Sequence, residues 1–236
     1  MNKKLLILLG LMLLIYTGLG QVDMSGARPI AQGGAFTAMS NDANASVWNP
    51  AGMESFREMA ISLSYSMKYL GIDNNNLNEG NISFVNHLGR RGKFGSYGLS
   101  YTHYFDDIYS QGILTLGYAK RLYGKHDGAH TSLGLNLKFI NTSWSDGNAS
   151  VGFDPNDPLV GESSFAPSLD LGLIFVPAKW LRVGVAAKDI IEPDVSISGS
   201  GSTDDKENVM PMTLNFGLGL QFGSFKPSFE AEMLTK

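Results

Sequence analysis

Cysteine is absent from the 236 residues, which excludes a disulfide scaffold, a thiolate-ligated zinc site and a lipoprotein anchor. Charge is also scarce. Only 17% of residues are Asp, Glu, Lys or Arg, and the net charge of −4 leaves no basic footprint for nucleic acid. Histidine occurs four times, at His87, His103, His126 and His130, and none belongs to a His-Glu-x-x-His helix. No G-x-S-x-G elbow and no P-loop occur. Asp154, Asp157 and Glu162 are more simply read as solvated loop carboxylates than as a cation site. Ser100 and His103, three apart on a strand, point to opposite faces. The sequence therefore predicts a protein without catalytic activity, cofactor or metal. Beyond the first twenty residues no apolar run approaches the ~20 residues a membrane helix needs.

Those first twenty residues form a unit of their own. Asn2-Lys3-Lys4 is a positive start, Leu5 to Tyr16 is apolar apart from Gly10, and Thr17-Gly18-Leu19-Gly20 supplies small residues before Gln21. This is the pattern of a bacterial secretory signal spanning 1–20. Export follows.

Glycine is abundant, with 28 residues against the roughly 7% of an average chain. From residue 61 onward large apolar residues alternate with small or polar ones. Ile61, Leu63, Tyr65, Met67 and Tyr69 interleave with serines and Lys68; Leu133, Leu135, Leu137 and Phe139 with Ser132, Gly134, Asn136 and Lys138; Leu214, Phe216, Leu218, Leu220 and Phe222 with Thr213, Asn215, Gly217, Gly219 and Gln221. Period-two alternation predicts strands with one apolar face. Weaker copies at 82–88, 94–104, 112–120, 165–176, 181–189 and 226–234 bring the number to nine.

The second face carries Gly, Ser, Ala and Asn, with Lys68, Lys138, Asp170, Arg182 and Lys188 on its parity. A charge facing mid-bilayer lipid costs about 2–4 kcal/mol, so a clean apolar face and a small, polar one favour a transmembrane barrel over a secreted sandwich. Short links at 89–92, 123–128, 177–180 and 223–225 are expected to alternate with long ones at 71–80, 106–111, 141–164 and 190–211. Basic residues (Arg90, Arg91, Lys125, Lys179, Arg182) lie near the short links. Acidic ones (Asp73, Asp106, Asp107, Asp154, Asp157, Glu192, Asp194, Asp204, Asp205, Glu207) lie in the long loops. This sets the short turns on the periplasmic side.

Residues 21–56 lack alternation. They contain Gly33-Gly34-Ala35-Phe36-Thr37-Ala38, Asn41-Asp42-Ala43-Asn44-Ala45 and Trp48-Asn49-Pro50-Ala51-Gly52-Met53, punctuation that suits short helical turns. This GGAF stretch, the Asp-Ala pair and WNPAG ahead of the first strand resemble the N-terminal pattern of FadL-like outer-membrane proteins, and more closely the PorV/PorQ family. Segments 116–122, 132–140 and 181–188 resemble that family's strands.

The resemblance implies an all-β, antiparallel transmembrane barrel of roughly fourteen strands over 57–236, with 21–56 folded inward as a plug. Phe36 and Trp48 would pack inside, Asn49 would bond groups there, and Pro50 would set the chain's entry into the first strand. It further implies partners: outer-membrane lipid, and either a secreted cargo protein of type IX-like secretion or surface export, or a hydrophobic ligand such as a long-chain fatty acid. Nine strands are fewer than such a barrel needs, and an odd number besides, so the barrel is expected to be incomplete at its C-terminal end.

Overall fold

A computed structural model describes residues 25–56, 58–68, 77–89, 93–124, 128–145, 161–196 and 209–235. The predicted signal, His126 and Tyr69 lie outside them, as do Arg90, Arg91, Lys125 and, in the long links, Asp73, Asp154, Asp157, Asp204, Asp205 and Glu207.

Nine strands form one antiparallel sheet in sequence order: β1 Ala60–Met67, β2 Asn78–His87, β3 Ser96–Phe105, β4 Tyr109–Gly124, β5 His130–Trp144, β6 Ser163–Ala178, β7 Leu181–Lys188, β8 Thr213–Leu220 and β9 Ser228–Leu234. The number and the placement agree with the alternation in the sequence. The sheet is not closed. Among the described residues β1 pairs only with β2, and β9 only with β8. Being an even number of strands apart, β1 and β9 run in the same direction.

Each strand obeys its parity. On β5, Leu133, Leu135 and Leu137 are exposed, whereas Ser132, Gly134, Asn136 and Lys138 are buried on the other side. Exposure of large apolar side chains continues across the same face through Leu63, Leu99, Leu116, Leu171 and Phe216. Among the described residues no element covers this outward face, while the inward face is the one that is buried.

One link departs from expectation. β3 reaches Phe105 and β4 begins at Tyr109, so the connection is Asp106–Ile108 rather than 106–111. Asp106 closes it by accepting from the backbone N–H groups of Ile108 (2.8 Å) and Tyr109 (2.6 Å), an Asx turn that lets both strands run on. The long and short links therefore do not alternate strictly. At the other end, Gly95 (φ +91°) and Gly124 (φ +92°) occupy the left-handed region at strand edges where a side chain would be strained.

Residues 25–56 fold into helix α1 (Ala27–Ala31), helix α2 (Ala45–Trp48) and a 3-10 helix, Pro50–Ser55. They lie against the inward face. Small clusters form there, Ala45 and Met53 with Val85 and Ala119, and Ala51 with Ile174 and Val176.

Candidate functional site

The seam between this N-terminal segment and the inward face of the sheet is the best-built site in the molecule. It begins with local chemistry at Asn49-Pro50. Asn49 is extended (φ −154°), and its Oδ1 accepts from the Ala51 N–H at 3.1 Å, capping the 3-10 helix. Pro50 is the first residue of that helix, where its fixed φ suits the turn and its missing N–H costs nothing. With Oδ1 committed, the Asn49 amide NH2 faces three carbonyls. It donates to Thr37 O (3.0 Å), Leu173 O (3.2 Å) and Val185 O (3.3 Å). One side chain thus joins two parts of the segment to β6 and β7.

Phe36 and Trp48, both buried, meet edge to face at 5.8 Å. Trp48 Nε1 donates to Ser25 O (2.9 Å). The Lys188 ammonium lies 5.3 Å from the Trp48 ring centre, and the Arg28 guanidinium 5.1 Å from that of Phe36. The structure therefore gathers Phe36, Trp48, Asn49 and Pro50 in one place. They sit between segment and sheet.

Glycines on the sheet make this approach possible. A Cβ on Gly172 would fall on Asn49 Oδ1 and within 2.8 Å of Pro50 Cδ. On Gly184 it would meet Thr37 O at 2.6 Å, on Gly217 the Ala38 N at 2.6 Å, and on Gly117 the Met53 Cε at 2.7 Å. The inward glycines are therefore a track on which backbone rests directly against strands.

Polar fasteners tie the segment down along its length, and sequence reasoning did not anticipate most of them. Ser25 Oγ donates to Glu79 Oε1 (2.6 Å), whose other oxygen pairs with Lys68 Nζ (2.7 Å). Arg121 pairs with Glu54 (2.9 Å), which also accepts from Ser96 Oγ (3.0 Å). Arg182 donates to Ala38 O (2.9 Å) and Ser55 Oγ (3.1 Å). Asn136 Nδ2 donates to Ser46 O (2.6 Å) and to Asp170 Oδ2 (3.0 Å). Lys138 pairs with Asp170 (2.8 Å) and with Asp189 (2.6 Å). The available signal was parity, since Lys138, Asp170 and Arg182 all stand on the inward side. What they would meet there was not written in the strands.

On the segment itself, burial holds the Asp42 carboxyl above its ordinary range, opposed by the Asn44 N–H and by Arg28. Ionised Asp42 therefore costs the docked segment stability at neutral pH. That cost disappears as pH falls through its folded value.

The last fastener involves β9. Glu230 accepts from both Thr37 N (2.9 Å) and Thr37 Oγ1 (2.8 Å), and from Asn215 Nδ2 (3.2 Å). Replacing Thr37 by Val keeps the shape and removes one charge-assisted bond. Its expected cost is about 1.5 kcal/mol, read as faster proteolysis of residues 25–56 in the folded protein.

The structure does not bring Ser100 and His103 together. Ser100 is buried inward, whereas His103 is on the outward parity and contacts Ser110 Oγ at 2.8 Å. His87 Nδ1 contacts Ser96 Oγ (2.7 Å), and Ser96 Oγ donates to Glu54 Oε2 (3.0 Å). Among the described residues no group of three His, Asp or Glu side chains could hold a metal ion.

Residues 110–229, running from β4 into β9, match the family described as F plasmid transfer operon, TraF, protein. The chain belongs to this TraF family. No curated protein and no solved structure matches it. The match corrects the resemblance to PorV/PorQ and FadL-like proteins, and with it the implied roles in type IX-like secretion and in uptake of hydrophobic molecules. The reason is visible in the seam. The pattern at Gly33–Met53 lies wholly outside the matched strands, and it encodes a local device: an Asn cap, a Pro start and small residues resting on a glycine track. Any chain that lays a turn on a sheet can use that device. The TraF family is marked by the strands instead.

Proposed function

We propose that this chain is a cell-envelope component of the plasmid conjugative transfer apparatus, its sheet forming part of an outer-membrane β-barrel with residues 25–56 as an internal plug. The family description supports the first half. The uncovered outward face carries the second. Large exposed apolar patches on soluble monomers rarely exceed a few hundred Å², yet here the exposed residues run from Leu63 on β1 to Met233 on β9. The apolar stretch spans Leu133–Phe139 on β5 and Phe165–Phe175 on β6. At ~3.3 Å per residue and a tilt of ~40°, these stretches cover about 15–25 Å, close to the band of outer-membrane barrels. Polar groups turned inward, among them the Lys138 cluster, complete the pattern of a lumen.

Closing this sheet with antiparallel pairs takes an odd number of further strands; a direct β1–β9 pair would be parallel. The net charge of −4 fits a role in the apparatus rather than a grip on the transferred DNA.

Two experiments test the reading. Leu135→Arg puts a charge at the middle of the outward face and should cost about 2–4 kcal/mol of insertion, so the variant should leave the heat-modifiable outer-membrane fraction. If Leu135→Arg yields a stable, soluble, native protein, the membrane assignment is wrong. Deleting the coding sequence from a plasmid-bearing donor should lower transfer frequency without slowing growth. An unchanged frequency would remove the conjugation role.

A further inference from the structure

On the outward parity of the described strands one charged residue stands out. β4 presents Leu114, Leu116, Tyr118, Lys120 and Leu122 to the outside, and Lys120 is exposed among them. A lysine on a lipid face is tolerable only where its ammonium reaches the polar interface. Residues 93–95, which lead into β3, come to meet it. Ser96 is in register with Ala119, so Gly95 stands beside Lys120. A Cβ on Gly95 would meet Tyr118 Oη at 2.9 Å, and Tyr118 Oη donates to Phe94 O at 2.7 Å. Phe94 and Gly95 therefore lie against the Tyr118 ring. Lys93 holds its ammonium 5.6 Å from the ring centre of Phe94, whose side chain is exposed.

Resting on the membrane reading above, we propose that Lys93, Phe94, Tyr118 and Lys120 form a binding site for the headgroup of an anionic phospholipid in the leaflet at the short-turn end. The two ammoniums carry the charge that a phosphate diester needs. The two rings sit at headgroup level, where amphipathic aromatics are favoured, and Leu116 and Leu99 continue upward as the surface for the acyl chains. The same site places Lys93 and Phe94 at a membrane boundary.

The test uses the full chain with Phe94→Trp as a local reporter and with Trp144→Phe and Trp180→Phe, Trp48 remaining as a buried background. The protein is reconstituted in phosphatidylcholine vesicles containing either brominated phosphatidylglycerol or brominated phosphatidylcholine. The expected result is several-fold stronger quenching by the brominated phosphatidylglycerol, unaffected by added inorganic phosphate. Lys93→Gln with Lys120→Gln should abolish that preference and Lys→Arg at both positions should keep it. Equal quenching by the two lipids overturns the headgroup site while leaving the membrane reading intact. No quenching by either overturns the membrane reading itself.

Discussion

Gly172→Val should detach the N-terminal segment from the sheet. The new side chain would occupy the space of Asn49 Oδ1 and Pro50 Cδ, and Asn49 cannot swing aside without giving up Ala51 N, Thr37 O, Leu173 O and Val185 O together. Overpacking alone costs typically about 1–3 kcal/mol, and each buried group left without a partner about 1–3 more. A loss of about 4–5 kcal/mol is expected where both occur. Gly80→Ala is the control, since nothing lies within 4 Å of a Cβ there, and such a surface change should stay within about 0.5 kcal/mol. The measurement is limited proteolysis of the folded protein, followed at residues 25–56. Equal cleavage of Gly172→Val and Gly80→Ala would mean that the segment does not rest on the glycine track.

That contrast explains how far the sequence could be read. Both glycines interrupt a strand, and composition treats them alike; Gly80 stands on the outward parity of β2 and Gly172 on the inward parity of β6, where the segment docks. The strands themselves were legible because a sheet with one apolar and one small or polar face writes its period into every second residue, as in Leu133 to Phe139. The length of the 106–108 turn was not, because Asp106 closes it through side-chain bonds to Ile108 and Tyr109, which alternation does not encode. Phe36, Trp48, Asn49 and Pro50 could be selected as a group from their local punctuation. Their partners on β6 and β7, more than 120 residues away, could not. The family assignment turned on the same distinction. The segment motif reports a local turn geometry, whereas the TraF match covers residues 110–229, from β4 into β9.

Lys138→Ala is expected to be comparably damaging, for a different reason. Lys138 is buried between Asp170 and Asp189, with its ammonium 2.8 Å and 2.6 Å from their oxygens. Asp170 also accepts from the Asp189 N–H (3.0 Å) and from Asn136, and Asp189 accepts from Ser168 Oγ (2.7 Å). The cluster thus ties β5 to β6 and the end of β7, and through Asn136 it reaches Ser46 O on the segment. Removing the cation leaves two carboxylates facing each other away from water, and breaking a buried pair from one side costs about 3–5 kcal/mol. The damage should come from the uncompensated charge rather than from the lost bonds. Lys138→Met combined with Asp170→Asn and Asp189→Asn, which removes charge from all three, should therefore recover most of the stability in urea unfolding followed by Trp48 fluorescence. If the single variant unfolds like the native protein, the three groups are not held together in a dry interior, and the seam is wetter than these contacts imply. If the triple variant is no better than the single one, the hydrogen bonds through Asn136 and Ser168 dominate, and the charge argument fails.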